Sequence, residues 1–364
     1  MLAYLSYFSR PFLLAVALWP FVSFVLTVPL LALLYHRYNR VRPAQALVAY
    51  GTVLYFLGLL CFTMYPMPSD PAAYCAAHHL RPQLDPFGFV GDIRSDGLSA
   101  VLQLVLNVAF FLPLGWLMGR VWRWRLRAAL PFAFCMSLTI ETLQLTGLLG
   151  LYPCSYRLFD VDDLLTNTSG AVLGFVAALA ANRLFPVRVS DLTTVSRPGF
   201  VRRCIAYAID TTLASLAASS VSILALLAYR DATAGGAGPW SEPRVTPHVG
   251  LSDAMMLVSL FVFELVVPWL RGGSTLGGSF THMTCETRPR SGWRRAVFLL
   301  ARFACIVVAA MPASFSFSGV ATLAMLVCYA FARCMPYDLL PADPGAETSD
   351  ASDADGGDGA TGRV

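Results

Sequence analysis

The sequence predicts an all-α, polytopic membrane protein with about nine transmembrane helices, its N-terminus outside and its C-terminus inside. Three observations predict this. The 364 residues are 57% hydrophobic and only 13% charged, a balance typical of multi-span chains. Apolar runs long enough to cross a hydrocarbon core recur along the chain. Arg residues gather in alternate loops between those runs.

The first run, "PFLLAVALWPFVSFVLTVPLLALLY" (11–35), has 25 residues. A secretory signal carries an apolar stretch of only about 7–15 residues, so this one reads as a retained span. Runs at 46–65, 99–119, 128–149 and 164–184 follow. A second group lies at 204–229, 252–270, 296–312 and 318–336, with Pro312 and Gly319 supplying the tight turn between its last two members.

Orientation follows from the Arg-bearing loops. Arg37, Arg40 and Arg42 follow the first span, and Arg120, Arg123, Arg125 and Arg127 the third. Arg183, Arg188, Arg197, Arg202 and Arg203 follow the fifth; Arg271, Arg288, Arg290, Arg294 and Arg295 follow the seventh. That places 17 Arg on one side against six on the other (Arg10, Arg81, Arg94, Arg157, Arg230 and Arg244). Cytoplasmic loops keep the excess of positive charge, so the side with six faces out. The basic loops then touch anionic headgroups. A net charge of +4 gives no reason to expect nucleic acid, and membrane lipids are the expected partners. Domain boundaries follow: five spans over 1–185, a basic linker over 186–203, four spans over 204–340 and a tail over 341–364. The tail carries six acidic groups and one Arg and has little apolar surface to bury, so it reads as disordered.

Ionisable and polar groups inside spans are costly and therefore candidates for function. Glu141 and Gln144, three apart, share one helix face. Asn107 lies in the third span and Asn167 one turn into the fifth, where Gly170 and Gly174 allow another backbone to come close. Before the fifth span stands "CSYRLFDVDDLL" (154–165), with Arg157, Asp160, Asp162 and Asp163. Carboxylates there suit a helix N-terminus as well as a site, and both readings stand. Asp163 is the natural capping candidate; Glu141, read as a mid-span carboxylate, has no such explanation. Together these groups can form one polar pocket at the outer ends of the fourth and fifth helices.

Cys75 and Cys154 fall on the expected outer face, where a disulfide persists. His78 and His79 beside them give a rival zinc reading, although the spacing is not a standard motif. Cys61, Cys135, Cys204, Cys305, Cys328 and Cys334 read as packing residues, and Cys285 as a loop residue. No cofactor and no metal are assigned. In the second half, Arg203 and Asp210 share a face at two helical turns, and Glu264 is a second intramembrane carboxylate. "RGGSTLGGSF" (271–280) lacks the Lys and spacing of a phosphate-cradling loop and reads as an interfacial turn.

The segments "LNVAFFLPLGWLMG" and "ETLQLTGLLGLYPCSYRLFDVDDLLTNTSGAVLGF" resemble the VanZ-like membrane family. The resemblance covers about residues 1–185 and sets Asn107, Phe111, Pro113, Gly115, Glu141, Gln144, Arg157, Asp160, Asp162, Asp163, Asn167, Gly170 and Gly174 on motif positions. "LDPFGFVGDI" (84–93) is similar to a further family loop, with Asp85 where Asn is usual. Residues 198–336 resemble the RDD family through Arg203, Ala206, Asp210, Gly273, Thr275 and Gly277. Gly278 departs from that pattern, and the second Asp finds no place in it. The double resemblance is that of a VanZ/RDD fusion protein. It implies a multi-pass bacterial inner-membrane protein with a link to teicoplanin resistance, and no reaction.

Three functions are then open. The leading one is non-enzymatic: binding or moving an envelope ligand such as a lipid-linked headgroup, with Arg157 meeting a phosphate or carboxylate. The second is an ion-coupled transporter using Glu141, Asp210 and Glu264. The third is a metal-assisted hydrolase of a lipid-linked phosphate at the outer face, using Asp160, Asp162 and Asp163 as oxygen ligands.

Overall fold

A computed structural model describes residues 2–65, 67–186, 192–233, 248–311 and 317–344, with side chains except at 2–9, 229–233 and 248–251. Arg188, Arg244, the turn at Pro312 and the acidic tail from 345 lie outside the described residues, as does the side chain of Arg230. Among the described residues the fold is all-α, with no strand and two isolated bridges, Gln83 with Asp160 and Val195 with Met283. Chain contacts divide the molecule into two units, Met1–Leu26 with Leu47–Val189, and Thr27–Ala46 with Ser190–Val364.

Among the described residues, seven helices are long and apolar enough to cross a membrane: Arg10–Tyr38, Pro43–Met64, Leu98–Val121, Leu126–Leu145, Val161–Leu184, Phe200–Ala228 and Ser252–Leu270. The two remaining runs of the expected nine are also helical, α13 (Gly292–Ala310) and α14 (Ser318–Ala332), but differ in kind. The helix α13 holds Arg294, Arg295 and Arg302. The 15 residues of α14 span about 22 Å at 1.5 Å each, short of a hydrocarbon core of about 30 Å.

The first unit takes the first part of α1 (Leu2–Tyr38), then α2 (Pro43–Met64), α3 (Pro71–Ala77) and α4 (Phe89–Asp96). It continues through α5 (Leu98–Trp116), α6 (Leu126–Leu145), α7 (Gly147–Gly150) and α8 (Val161–Leu184). Its centre is the pair α5 and α8. A Cβ built on Gly170 would lie 2.2 Å from the Val108 carbonyl oxygen, on Gly174 1.9 Å from that of Leu112, and on Gly115 1.8 Å from that of Ala171. Only hydrogen fits at these three positions, so the two backbones touch. Phe111, Leu114 and Phe175 fill the core beside the seam. At the far end Arg120 Nη1 donates to Asn182 Oδ1 at 2.6 Å and to the Phe185 carbonyl at 2.7 Å, closing the C-terminus of α8.

The second unit holds the end of α1, then α9 (Phe200–Thr233) and α10 (His248–Phe261), which runs through a π turn at Val262–Val266 into α11 (Val267–Leu270). The short α12 (Leu276–Phe280) precedes α13 and α14. Ala214, Leu260, Ile306, Val307 and Met311 form its core. Cys135 and Cys204, expected to pack, are exposed on their helices, while Cys285 lies in a loop, as expected, and is buried with Phe298 and Leu299.

Candidate functional site

The helix α8 starts at Asp160, in extended conformation, whose side chain accepts the Asp162 N–H at 2.8 Å. Capping therefore belongs to Asp160, not to Asp163. With the cap fixed there, Asp162 and Asp163 occupy the first turn and diverge by the helical pitch. Asp163 Oδ1 accepts from Asn107 Nδ2 of α5 at 2.6 Å. Asp162 faces the other way: its Oδ2 accepts from the Phe89 N–H at 2.7 Å and from Gln83 Nε2 at 3.4 Å. Asp162 thus joins α8 to the start of α4. The bridge at Gln83 fixes that loop further, through Gln83 N–H to the Phe159 carbonyl and Val161 N–H to the Gln83 carbonyl.

Glu141 lies in the last turn of α6, not mid-span, and is 2% exposed. Its Oε2 accepts the Asp160 N–H at 3.2 Å. One turn on, Gln144 Nε2 donates to the Thr63 carbonyl at 2.7 Å. Arg157 Nη1 donates to the same carbonyl at 2.7 Å and to that of Phe62 at 3.4 Å. A guanidinium and an amide thus satisfy the open carbonyls at the end of α2. Asn167 Nδ2 donates to Ser137 Oγ at 3.0 Å, linking α8 to α6.

These groups surround a cavity of about 480 Å³. Asn107, Glu141, Gln144, Arg157, Asp160, Asp163 and Asn167 all line it; Asp162, expected among them, does not. Leu59, Phe62, Leu106, Phe110 and Ile140 line it as well, so the cavity is amphiphilic. Burial pushes the Asp160 carboxyl above its ordinary range, against the pull of the Asp162 N–H, and the charges of Asp162 and Asp92 add to the rise. Gly170 and Gly174 set the α5–α8 distance beneath it and do not line it.

Cys75 and Cys154 are joined by a disulfide, with Cα atoms 5.8 Å apart across 79 residues of sequence. A bonded pair has no thiolate to offer zinc. The bond anchors α3 to the segment that precedes Arg157, and the neighbouring Tyr74 hydroxyl donates to the Tyr156 carbonyl at 3.2 Å. Tyr74 and Tyr156 both line the cavity.

Sequence reasoning missed Thr63, Tyr74, Gln103 and Tyr156 on the cavity wall. Thr63 contributes a carbonyl, which no side-chain pattern reveals. Tyr74 stands next to Cys75, and that was the available signal. The three aspartates, grouped as metal ligands in the hydrolase reading, point at three different protein donors: Asp162 N–H, Phe89 N–H and Asn107.

In the second unit, Asp210 Oδ1 accepts the Gly277 N–H at 2.7 Å, while Thr275 caps α12 and also reaches Asp210. A Cβ on Gly277 would lie 2.2 Å from the Ala206 carbonyl oxygen. Gly273 has φ +86, and its carbonyl accepts from the Cys285 N–H and Thr284 Oγ1. Ala206, Asp210, Thr275 and Gly277 thus meet at one helix crossing. Arg203 turns instead to Asp338, 2.8 Å away and 128 positions downstream of Asp210. Glu264, fully buried, pairs with Arg302 at 2.7 Å, and Arg302 Nη1 also donates to the Glu264 carbonyl at 2.9 Å. Arg302 was missed although it sits in an apolar run, where the rule that singled out Glu264 applies equally.

Residues 52–182, about a third of the chain, match the VanZ/LLP1 family model. The match encloses the whole cavity, the disulfide and the α5–α8 seam. With the membrane-length helices it fits a membrane protein of the VanZ type. No curated protein and no solved structure matches the chain.

Proposed function

We propose that this is a multi-pass bacterial inner-membrane protein that binds an amphiphilic envelope ligand, such as a lipid-linked headgroup, in the cavity of its first unit. The cavity itself carries the reading: about 480 Å³, lined by Asn107, Glu141, Gln144, Arg157, Asp160, Asp163 and Asn167 among other polar groups, together with apolar side chains. Ligand sites are concave and gather convergent polar groups beside apolar surface, and this one does so with more polar groups than most. Arg157 keeps Nη2 and Nε free of protein acceptors among the described residues, so a phosphate or carboxylate has a donor edge to meet. The positive-inside count puts the cavity end outside, in keeping with a disulfide there. The RDD resemblance of the second unit supports a membrane partner module without adding a reaction.

The test is lipid analysis of the purified full-length protein against bulk membrane, in wild type and in Arg157→Ala. Enrichment of one headgroup class, lost in the variant at normal expression, is the expected result. A wild-type profile matching bulk membrane refutes the reading. The glycopeptide link is tested separately: expression should raise the teicoplanin concentration needed to inhibit a susceptible host, and Arg157→Ala should abolish the rise.

A further inference from the structure

The hydrogen-bond polarity of the cavity narrows the ligand further. Asn107 turns its Nδ2 to the Asp163 carboxylate, which can only accept. Gln144 turns its Nε2 to the Thr63 carbonyl, which also can only accept. Asn167 gives one of its two amide N–H groups to Ser137. The Tyr74 hydroxyl donates to the Tyr156 carbonyl, and the Tyr156 hydroxyl to Met64 sulfur. One N–H of each of these three amides and both tyrosine hydroxyls are thus held by the protein, while Gln103 and one edge of Arg157 keep free donors.

The acceptors are not consumed. Glu141 is 2% exposed and lines the cavity, with Oε2 engaged by the Asp160 N–H and Oε1 without a donor among the described residues. The amide oxygens of Asn107, Gln144 and Asn167 and the second oxygen of Asp163 are likewise without donors there. Charge has the same sign as this imbalance. Glu141, Asp160 and Asp163 stand against the single guanidinium of Arg157, and all three neighbours act electrostatically on Glu141. These acceptors open onto the cavity, so a ligand that brings N–H donors and positive charge has the most to meet there.

We infer that the cavity receives the protonated primary amine of a zwitterionic amphiphile, the ammonium between Glu141 and Asp163 and the anionic group at Arg157. A primary ammonium supplies three donors, which suits this cluster of acceptors. The inference rests on the ligand-binding reading above and adds the headgroup class.

The experiment is native mass spectrometry of the full-length protein, delipidated and exposed in turn to phosphatidylethanolamine, N-acetyl-phosphatidylethanolamine, phosphatidylcholine and phosphatidylglycerol of matched chains. Phosphatidylethanolamine should be retained about tenfold better than the N-acetylated form, the difference expected for a charge-assisted hydrogen bond. Glu141→Gln, which keeps an acceptor for the Asp160 N–H, should lose a similar factor for phosphatidylethanolamine and little for phosphatidylglycerol. Competition by soluble glycerophosphoethanolamine as strong as by the intact lipid would keep the amine and assign it to a solute. Equal retention of the acetylated lipid, or preference for phosphatidylglycerol, overturns the amine assignment while leaving the cavity a ligand site. Retention of no lipid class overturns both. The acetylated-lipid comparison uses wild-type protein and so stands even if the variant fails to fold.

Discussion

Gly170→Ala tests whether the α5–α8 contact builds the cavity. The new Cβ would lie 2.2 Å from the Val108 carbonyl oxygen and 2.8 Å from Val108 Cα, both backbone atoms that cannot swing aside. Ordinary contact begins at 3.4 Å, so the helices must part by 3.4 − 2.2 = 1.2 Å at that level. Val108 adjoins Asn107, and Asp163 lies seven residues from Gly170 on the same helix. A parting on that scale would draw the Asn107–Asp163 hydrogen bond, 2.6 Å long, out of good bonding geometry. Overpacking costs about 1–3 kcal/mol. Losing a hydrogen bond to a charged group adds about 1.5–3 kcal/mol, giving a total of roughly 2.5–6 kcal/mol.

The assay is thermal unfolding of the purified protein in one detergent, with Gly58→Ala as internal control. Gly58 lies in α2 with nothing within 4 Å of a built Cβ, so that substitution should be neutral or stabilising by about 0.5–1 kcal/mol. At about 2–4 °C per kcal/mol for a domain of this size, Gly170→Ala should lower Tm by about 5–25 °C relative to the control. It should also weaken lipid retention, because the Asn107 amide is freed to turn. Equal midpoints for the two variants would refute the argument, since the contact would then be soft enough to yield at no cost.

Three further outcomes are expected. Replacing Cys75 and Cys154 by Ser removes a link across 79 residues, worth about 4–5 kcal/mol by chain entropy, and should lower Tm to the value that reductant produces in the wild type. Arg302→Met leaves Glu264 charged and buried without its partner and should cost about 3–5 kcal/mol; Glu264→Leu in the same chain should restore much of it, as read by Tm and expression. For topology, a membrane-impermeant maleimide added to intact cells should label Leu151→Cys, 88% exposed beside the disulfide, and spare Arg125→Cys in the loop before α6; the reverse pattern inverts the orientation.

What the sequence could reveal tracks how local each feature is. Apolar length marks a span without any tertiary knowledge, so the seven membrane-length helices were legible. The gathering of Asn107, Glu141, Gln144, Arg157, Asp160, Asp163 and Asn167 was legible because intramembrane polar groups have few reasons to exist. The facing of Asp162 toward Phe89 was not. It depends on which residue caps α8, and three acidic candidates stand within four positions. Nor could the short helices α3 and α4 be read, at seven and eight residues too brief for periodicity to register. The Arg203–Asp338 pair joins residues 135 positions apart, 338 − 203, and no spacing rule reaches that far.

The glycine seam and the acceptor-rich cavity are one arrangement seen at two depths. Because Gly170 and Gly174 bring α8 onto the backbone of α5, Asp163 comes within 2.6 Å of Asn107. A carboxylate at that distance dictates which end of the amide faces it, and so leaves the amide oxygen without a protein donor. The Thr63 carbonyl imposes the same choice on Gln144, and the Asp160 N–H holds one oxygen of Glu141 while the other stays free. Each contact that fixes the fold thereby leaves behind an acceptor. If the cavity takes the amine proposed for it, its selectivity would come from what the helices have already used up, and so from the donor content of a headgroup more than from its size.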